Sequence, residues 1–346
     1  MTNSTYRSLR QITLTSVALV AMSVFGAAEA AERLRISLDT NPNHVRNKGV
    51  ELFVAALKER VGDSMEIEVF PSAQLYRDRD VGRALRQGSV EMAIPGTWVL
   101  DGMVPAMAMT SLPAFYGLTE EAAVELMDGE LGQAINDNAE ERMRVKVLGP
   151  WMNLGFSHFY STRKPLNSHA DLSGLRIRIS GGTANAKRVE GLGGVPNLIA
   201  WPDVPLGLST DVVDAISSTH ESIASAQLWD SGLRYAFEDN QWFGQYVPMV
   251  SQVFWNNLSE EHRGAMTEAW AETVGQTREM AAEAQRNARG TLETNGITIV
   301  TSSQEDLARV REELMALQDG LVAEMNIEPE LVEMAMEEVR ARGLAD

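Results

Sequence analysis

Apolar and polar residues alternate one by one through "RLRISL" (Arg33 to Leu38) and again through "MEIEVF" (Met65 to Phe70), the period of a strand with one buried face. Between them, "NKGVELFVAALKERVG" spaces its apolar positions three and four apart, which predicts a helix. After a turn at Pro71, a second helix is expected from about Arg77 to Gln87, leading into "VEMAIPGTW". The same pattern restarts near Val145 with "VKVLGPWMNLGFSHFY" and passes through "LRIRIS" and a helix after Gly182 to "VPNLIAW" and "DVVDAI". Strands alternating with helices predict an α/β fold whose strand ends carry loops, and two such runs predict two lobes of one kind.

The last third of the chain reads differently. Ser259 is a good helix cap followed by Glu260 and Glu261, and helical patterning runs on to about Gly290 with Met266, Trp270, Thr273, Thr277, Met280 and Ala284 on one stripe. At 1.5 Å per residue such a helix would be roughly 45 Å long, enough to brace both lobes. From Ser303 to Arg342 a charged, amphipathic tail predicts helices packed on the outside.

Composition adds the compartment. Arg7 and Arg10 precede an uncharged apolar run from Ile12 to Ala28, closed by Ala28-Glu29-Ala30, which is the pattern of a cleaved secretory leader over residues 1–30. The exported chain is then expected in the periplasm without direct membrane insertion. Its 28 basic and 47 acidic residues leave a net charge of −19, a surface that repels nucleic acid and anionic lipid. With no cysteine in 346 residues, disulfides, thiol catalysis and Cys-ligated metals are excluded together.

Catalytic patterns are missing as well. No two of His44, His158, His169, His220 and His262 have the i, i+4 spacing of a helical zinc site, and no phosphate loop, dinucleotide fingerprint or G-x-S-x-G elbow occurs. Ser218, Thr219, His220 and Glu221 adjoin in "ISSTHES", but adjacency is not triad geometry. The expectation is a non-enzyme with neither cofactor nor metal.

An ordered set of segments carries a family resemblance. "NHVRNKG", "VFPSAQLYRDRD", "ALRQGSVEMAIPGTW", "DLSGLRIRI" with a glycine-rich helix start, "LGGVPNLIAWPDVPLGLSTDVVDA" and "LWDSGLRYAFED" together resemble the solute-binding proteins of tripartite ATP-independent periplasmic (TRAP) transporters, from about Arg33 to Ala323. The resemblance implies a two-lobed periplasmic binding protein fold with a long bracing helix and a helical C-terminal tail. It also implies a small-molecule solute captured between the lobes and delivered to TRAP membrane permease subunits. The corresponding division is lobe I over 31–154 and about 245–285, lobe II over 155–244 and about 286–302, and the tail over 303–346.

By the same resemblance, the second arginine of the "GLRIR" strand, Arg178, makes a two-point salt bridge to the solute's carboxylate. A planar guanidinium matches two carboxylate oxygens as lysine cannot. Strand alternation alone does not separate Arg178 from Arg176, since both fall on one face. Trp201 and Trp98 resemble the aromatic cleft residues of the family, and Asn43 with His44 resembles its first-lobe loop; Trp151, Trp229 and Trp242 are expected in packing, with one of them available to line the cleft.

Two departures bear on the solute. His158 stands where acid-sugar and dicarboxylate members often carry a second arginine, and "ISSTHES" replaces a Glu-Asn or Glu-Trp pair, which argues against a dicarboxylate. One reading is a hydroxy- or keto-monocarboxylate or sugar acid on Arg178, walled by Trp201 and Trp98, its hydroxyls read by Ser218, Thr219 and a His158 able to protonate near neutral pH. The other is a small amine or amino alcohol facing tryptophan rings, with Glu221 or Asp203 as counter-charge and Arg178 paired within the protein. An extracytoplasmic sensor module would need the same closing lobes.

Overall fold

The computed structural model describes residues 32–342, so the expected leader over residues 1–30 lies outside the described residues. β1 (Glu32–Ser37) is followed by helix α1 (Val45–Val61) and pairs in parallel with β2 (Met65–Phe70). Helix α2 (Asp78–Gln87) then leads to β3 (Met92–Ala93), parallel to the other side of β1. Helices α3 (Glu120–Asp128) and α4 (Glu130–Met143) precede β4 (Val145–Val147), after which β5 (Met152–Ser161) starts a second sheet.

That second sheet continues through β6 (Arg176–Ile179), α5 (Thr183–Gly191), β7 (Val195–Leu198), α6 (Val204–Ser209), β8 (Ala215–Ser218) and α7 (His220–Ser225). β6 runs parallel to both β7 and β8, whereas β5 pairs antiparallel with β8 and with β9 (Tyr235–Tyr246). β10 (Met249–Ser251) returns the chain to the first sheet, antiparallel to β3 and β4. After helices α8 (Gln252–Asn257) and α9 (Glu260–Thr294), β11 (Thr298–Thr301) adds to β9. The sheet orders are β2-β1-β3-β10-β4 and β11-β9-β5-β8-β6-β7, one per lobe.

Helix α9 is the expected brace. Ser259 caps it by accepting from the His262 amide at 3.1 Å, and its 35 residues extend about 52 Å at the standard rise. It packs on α1 in lobe I and on α7, β5 and β11 in lobe II. Met266, Trp270, Thr273 and Thr277 are buried as expected, but Met280 and Ala284 are only half-buried, and Ala281, Ala288 and Leu292 take over the inner face. The drift has a geometric cause: steps of four residues advance about 400°, so a face built on them winds round the helix as it passes from one lobe to the other.

Close approach of α1 to α9 depends on Gly49. A Cβ there would stand 2.4 Å from both Met152 Cε and Thr277 Cγ2. The methionine end can swing away, but a helical threonine is stiff at χ1. Gly49→Ala is therefore expected to lower stability by about 1–2 kcal/mol in urea denaturation, despite the gain in helix propensity.

The tail forms α10 (Gln304–Met315), α11 (Gln318–Met325) and α12 (Pro329–Ala341). Leu321, Met325, Ile327, Ala335 and Val339 are buried in one cluster with Leu131, Ile135 and Ala139 of α4, so α11 and α12 share the lobe I core rather than coating it, whereas Val310 and Leu314 of α10 are buried with Ile177 and Val189 of lobe II. Among the described residues no helix is long and apolar enough to cross a membrane.

Candidate functional site

The two arginines of β6 have opposite fates. Arg176, at the strand's open end, forks onto Asp214, with Nε to Oδ2 at 2.9 Å and Nη2 to Oδ1 at 2.8 Å. Arg178 is only 2% exposed; its Nε donates to the Ile199 carbonyl at 2.9 Å and its guanidinium sits 5.3 Å from the centre of the Trp201 ring. Burial pulls its pKa down to about 10, opposed by the charge of Asp39 and by Tyr246, so it stays cationic at neutral pH. Arg46 and Arg188, the other buried arginines among the described residues, are each ion-paired, to Asp39 and Asp78 and to Asp239 respectively. Arg178 alone of the three has no carboxylate partner there. A buried cation without a counter-charge is costly, and an anionic ligand is the ordinary remedy.

Arg178 opens on a cleft between the lobes with about 630 Å³ of empty space, counting its mouth. Of the residues expected at the site, Trp201, Trp98, Ser218, Thr219 and His44 line it. Its aromatic wall is larger than the sequence suggests: Trp98 meets Trp242 edge to face and Tyr246 at a tilt, both with centroids 5.4 Å apart. The fold of Trp98 requires Gly96, whose added Cβ would stand 2.3 Å from the indole. Trp242, expected in packing or in the cleft wall, lines the cleft and carries a buried indole N–H without an acceptor.

Hydroxyls supply the polar wall. Ser157 and Ser217 meet across β5 and β8 at 2.7 Å. Thr219 caps α7 by accepting the Ser222 amide at 3.2 Å and gives its own proton to Ser222 Oγ at 3.0 Å. His44 Nδ1 accepts the Arg46 amide at 3.1 Å, so the ring proton sits on Nε2, 2.9 Å from Ser222 Oγ. Burial and the Arg46 charge hold His44 well below the usual histidine range, keeping it neutral. With Oγ accepting from Thr219 and His44, the Ser222 hydroxyl proton is left for another acceptor. A histidine that donates in this way cannot take the serine proton, so the pair is not a nucleophile and base.

Other expected site residues lie elsewhere. His158 is not in the cleft, because successive strand residues face opposite sides and Ser157 takes the cleft face. Its ring is 4.5 Å from that of His220, and burial with the His220 charge lowers its pKa to about 3, so it does not protonate near neutral pH. Glu221 also turns away from the cleft, accepting the Val45 amide at 2.9 Å, with burial pushing its carboxyl up to about 7. Asn43 is exposed in a separate recess beside Asn41 and Ser225. Asp203 is paired with Arg77 of the facing lobe at 2.5 Å. His220 contacts Tyr160 at 2.8 Å and Glu238 at 2.9 Å, so "ISSTHES" forms no triad.

His158 has a measurable signature. Below pH 6.5 the unfolded chain takes up a proton that the folded chain refuses until about pH 3, so this residue subtracts stability as pH falls through that window. Replacing it by phenylalanine is expected to improve stability relative to the parent by about 1–2 kcal/mol on going from pH 7.5 to pH 5. A constant difference between the two urea curves would exclude a buried neutral histidine.

The lobes touch across the cleft at several points. Besides Arg77 and Asp203, Asn41 Nδ2 donates to the Ser225 carbonyl at 3.2 Å, and Asp101 accepts the first amide of α5, that of Thr183, at 2.8 Å. The last contact supplies from the other lobe the N-terminal cap that Gly182 cannot.

Comparison with known proteins places the chain in a family. The family described as bacterial extracellular solute-binding protein, family 7, matches residues 36–324. The 2,3-diketo-L-gulonate-binding periplasmic protein YiaO of Escherichia coli (strain K12) is 23% identical over 85% of this chain and 88% of its own. The C4-dicarboxylate-binding periplasmic protein DctP of Rhodobacter capsulatus is 26% identical over 81% and 82%. In fold, the chain is similar to a TRAP periplasmic solute-binding protein from Sulfitobacter sp. NAS-14.1 solved with β-D-galacturonate, with a TM-score of 0.82, 21% identity, and coverage of 90% of this chain and 100% of that one. The chain belongs to the bacterial extracellular solute-binding protein family 7, the solute-binding proteins of TRAP transporters.

Proposed function

We propose that this chain is exported by its N-terminal leader, captures a small hydroxy- or keto-monocarboxylate or sugar acid between its lobes, and delivers it to TRAP permease subunits. The observation carrying the reading is Arg178: buried, charged, without a carboxylate of its own, and open to a cleft of hydroxyls and indole rings. Its outer nitrogens offer the two-pronged donor that a carboxylate accepts. Ser217, Ser218 and Ser222 stand close by to exchange hydrogen bonds with hydroxyl groups. Two of the relatives support a sugar acid, since YiaO is named for one and the Sulfitobacter protein holds galacturonate, while DctP is named for C4-dicarboxylates.

The amine reading loses its support. Glu221 is turned into the lobe contact and Asp203 is taken by Arg77, and the two carboxylates that do line the cleft, Asp39 and Asp78, already share Arg46. Capture itself breaks no bond; a ligand touching both walls stabilises the closed arrangement because only that arrangement makes both sets of contacts. Titration calorimetry of the leader-free protein against gluconate, galacturonate, lactate and choline tests the proposal. Binding of at least one carboxylate at micromolar Kd, with a change in tryptophan fluorescence from Trp98, Trp201 and Trp242, is expected. Binding of choline alone would overturn it.

A further inference from the structure

Opposite Arg178, the lobe I wall is built the other way round. Arg46 of α1 is fully buried, and its nitrogens are all engaged: Nε with Thr40 Oγ1 at 3.1 Å, Nη1 with Asp78 Oδ2 at 2.8 Å and the Ile94 carbonyl at 3.1 Å, and Nη2 with Asp39 Oδ1. Its guanidinium lies on the Tyr246 ring at 4.4 Å. Asp39, Thr40 and Asp78 line the cleft, whereas Arg46 does not. The arginine is therefore behind and the carboxylates in front. Asp39 Oδ2 and Asp78 Oδ1 are the oxygens the arginine does not take.

We propose that Asp39 and Asp78, held by Arg46 behind them, form a charge filter that accepts hydroxyl donors from the far end of the solute and rejects a second carboxylate there. The inference rests on the reading that Arg178 holds the solute's one carboxylate. Two carboxylates around one guanidinium leave a net negative wall when both are ionised, and a solute carboxylate placed against it finds repulsion and no free fork. A hydroxyl placed there donates to the oxygens that Arg46 leaves and that the two neighbouring carboxyls otherwise share between themselves. Burial and the neighbouring Asp39 push Asp78 up to about 7 against the pull of Arg46, so the wall is either negative or neutral at neutral pH and never cationic. Arg79, the other cation on the cleft, has a side chain 48% exposed at the mouth and lies 3.9 Å from Asp80, too well solvated to anchor a buried carboxylate.

Matched pairs of solutes test the filter: gluconate against glucarate, and 4-hydroxybutyrate against succinate, each pair differing in whether the far end is a hydroxyl or a carboxylate. Calorimetry at pH 8, where Asp78 is ionised, is expected to show the hydroxyl member of the tighter-binding pair favoured at least 30-fold. Asp78→Asn keeps the shape and the acceptor for Arg46 but removes a charge, and should cut that preference about tenfold; Asp39→Asn should do the same independently, so a failure of one variant to fold leaves the other to decide. Equal binding of both members, or an unchanged preference in the folded variants, would overturn the filter while leaving the Arg178 reading intact. Absence of binding by every carboxylate would overturn both.

Discussion

Arg178→Ala is expected to abolish solute capture at any practical concentration, with a loss of about 3–5 kcal/mol in binding free energy, while Arg178→Lys loses about 1.5–3 kcal/mol. The graded pair separates two contributions. Lysine retains the charge but offers one ammonium point in place of a fork, and its Nζ cannot reproduce both the Nε bond to the Ile199 carbonyl and two bonds to a carboxylate. Calorimetry of both variants against whichever carboxylate binds the parent protein measures the steps. Equal affinity in the parent and Arg178→Lys would show that the carboxylate is not forked by this residue.

Solute binding also acts on an existing set of contacts between the lobes. The Arg77–Asp203 pair has side chains 39% and 43% exposed, and such pairs contribute about 0–1 kcal/mol. The Asp101 cap on α5 adds an amount of similar size. These contacts bias closure without locking it. On the proposed reading, a ligand bridging Arg178 and the lobe I wall would supply the term large enough to decide the equilibrium.

The strands β1 and β2 and the Ser259 cap were legible from local pattern, because each depends on neighbours in the chain. The choice of Arg178 over Arg176 rested on family resemblance alone. Alternation puts Arg176 and Arg178 on one face, and what separates them is Asp214, 38 residues further on, which reaches one arginine and not the other. His158 missed the cleft by one residue, the shift that reverses a strand side chain, and Ser157 beside it is the residue in place. Asp39, Arg46 and Asp78 went unnoticed because they come from the loop after β1, from α1 and from α2, and periodicity carries no information on which charges meet. A single hint was present: Arg46 sits in the first turn of a helix, where a cation opposes the helix dipole and calls for an outside reason.

That reason gives the largest stability effect expected in the molecule. Arg46→Met preserves much of the side-chain volume but leaves Asp39 and Asp78 facing each other at the cleft with no cation between them. Removing one partner of a buried ion pair typically costs 3–5 kcal/mol, and here two carboxylates lose the same partner. The loss must depend on pH in a definite direction. Asp78 already holds its proton up to about pH 7, above the ordinary aspartate range, and without Arg46, which pulls it down, it holds that proton higher still. A carboxyl with a raised folded-state pKa is most favourable to folding in acid and loses that advantage as pH rises through the folded value. The Arg46→Met deficit should therefore be full at pH 8 and shrink towards pH 5.5, which urea denaturation at the two values measures. A deficit of the same size at both would mean that packing on the Tyr246 ring, rather than neutralisation of the aspartates, is what Arg46 contributes.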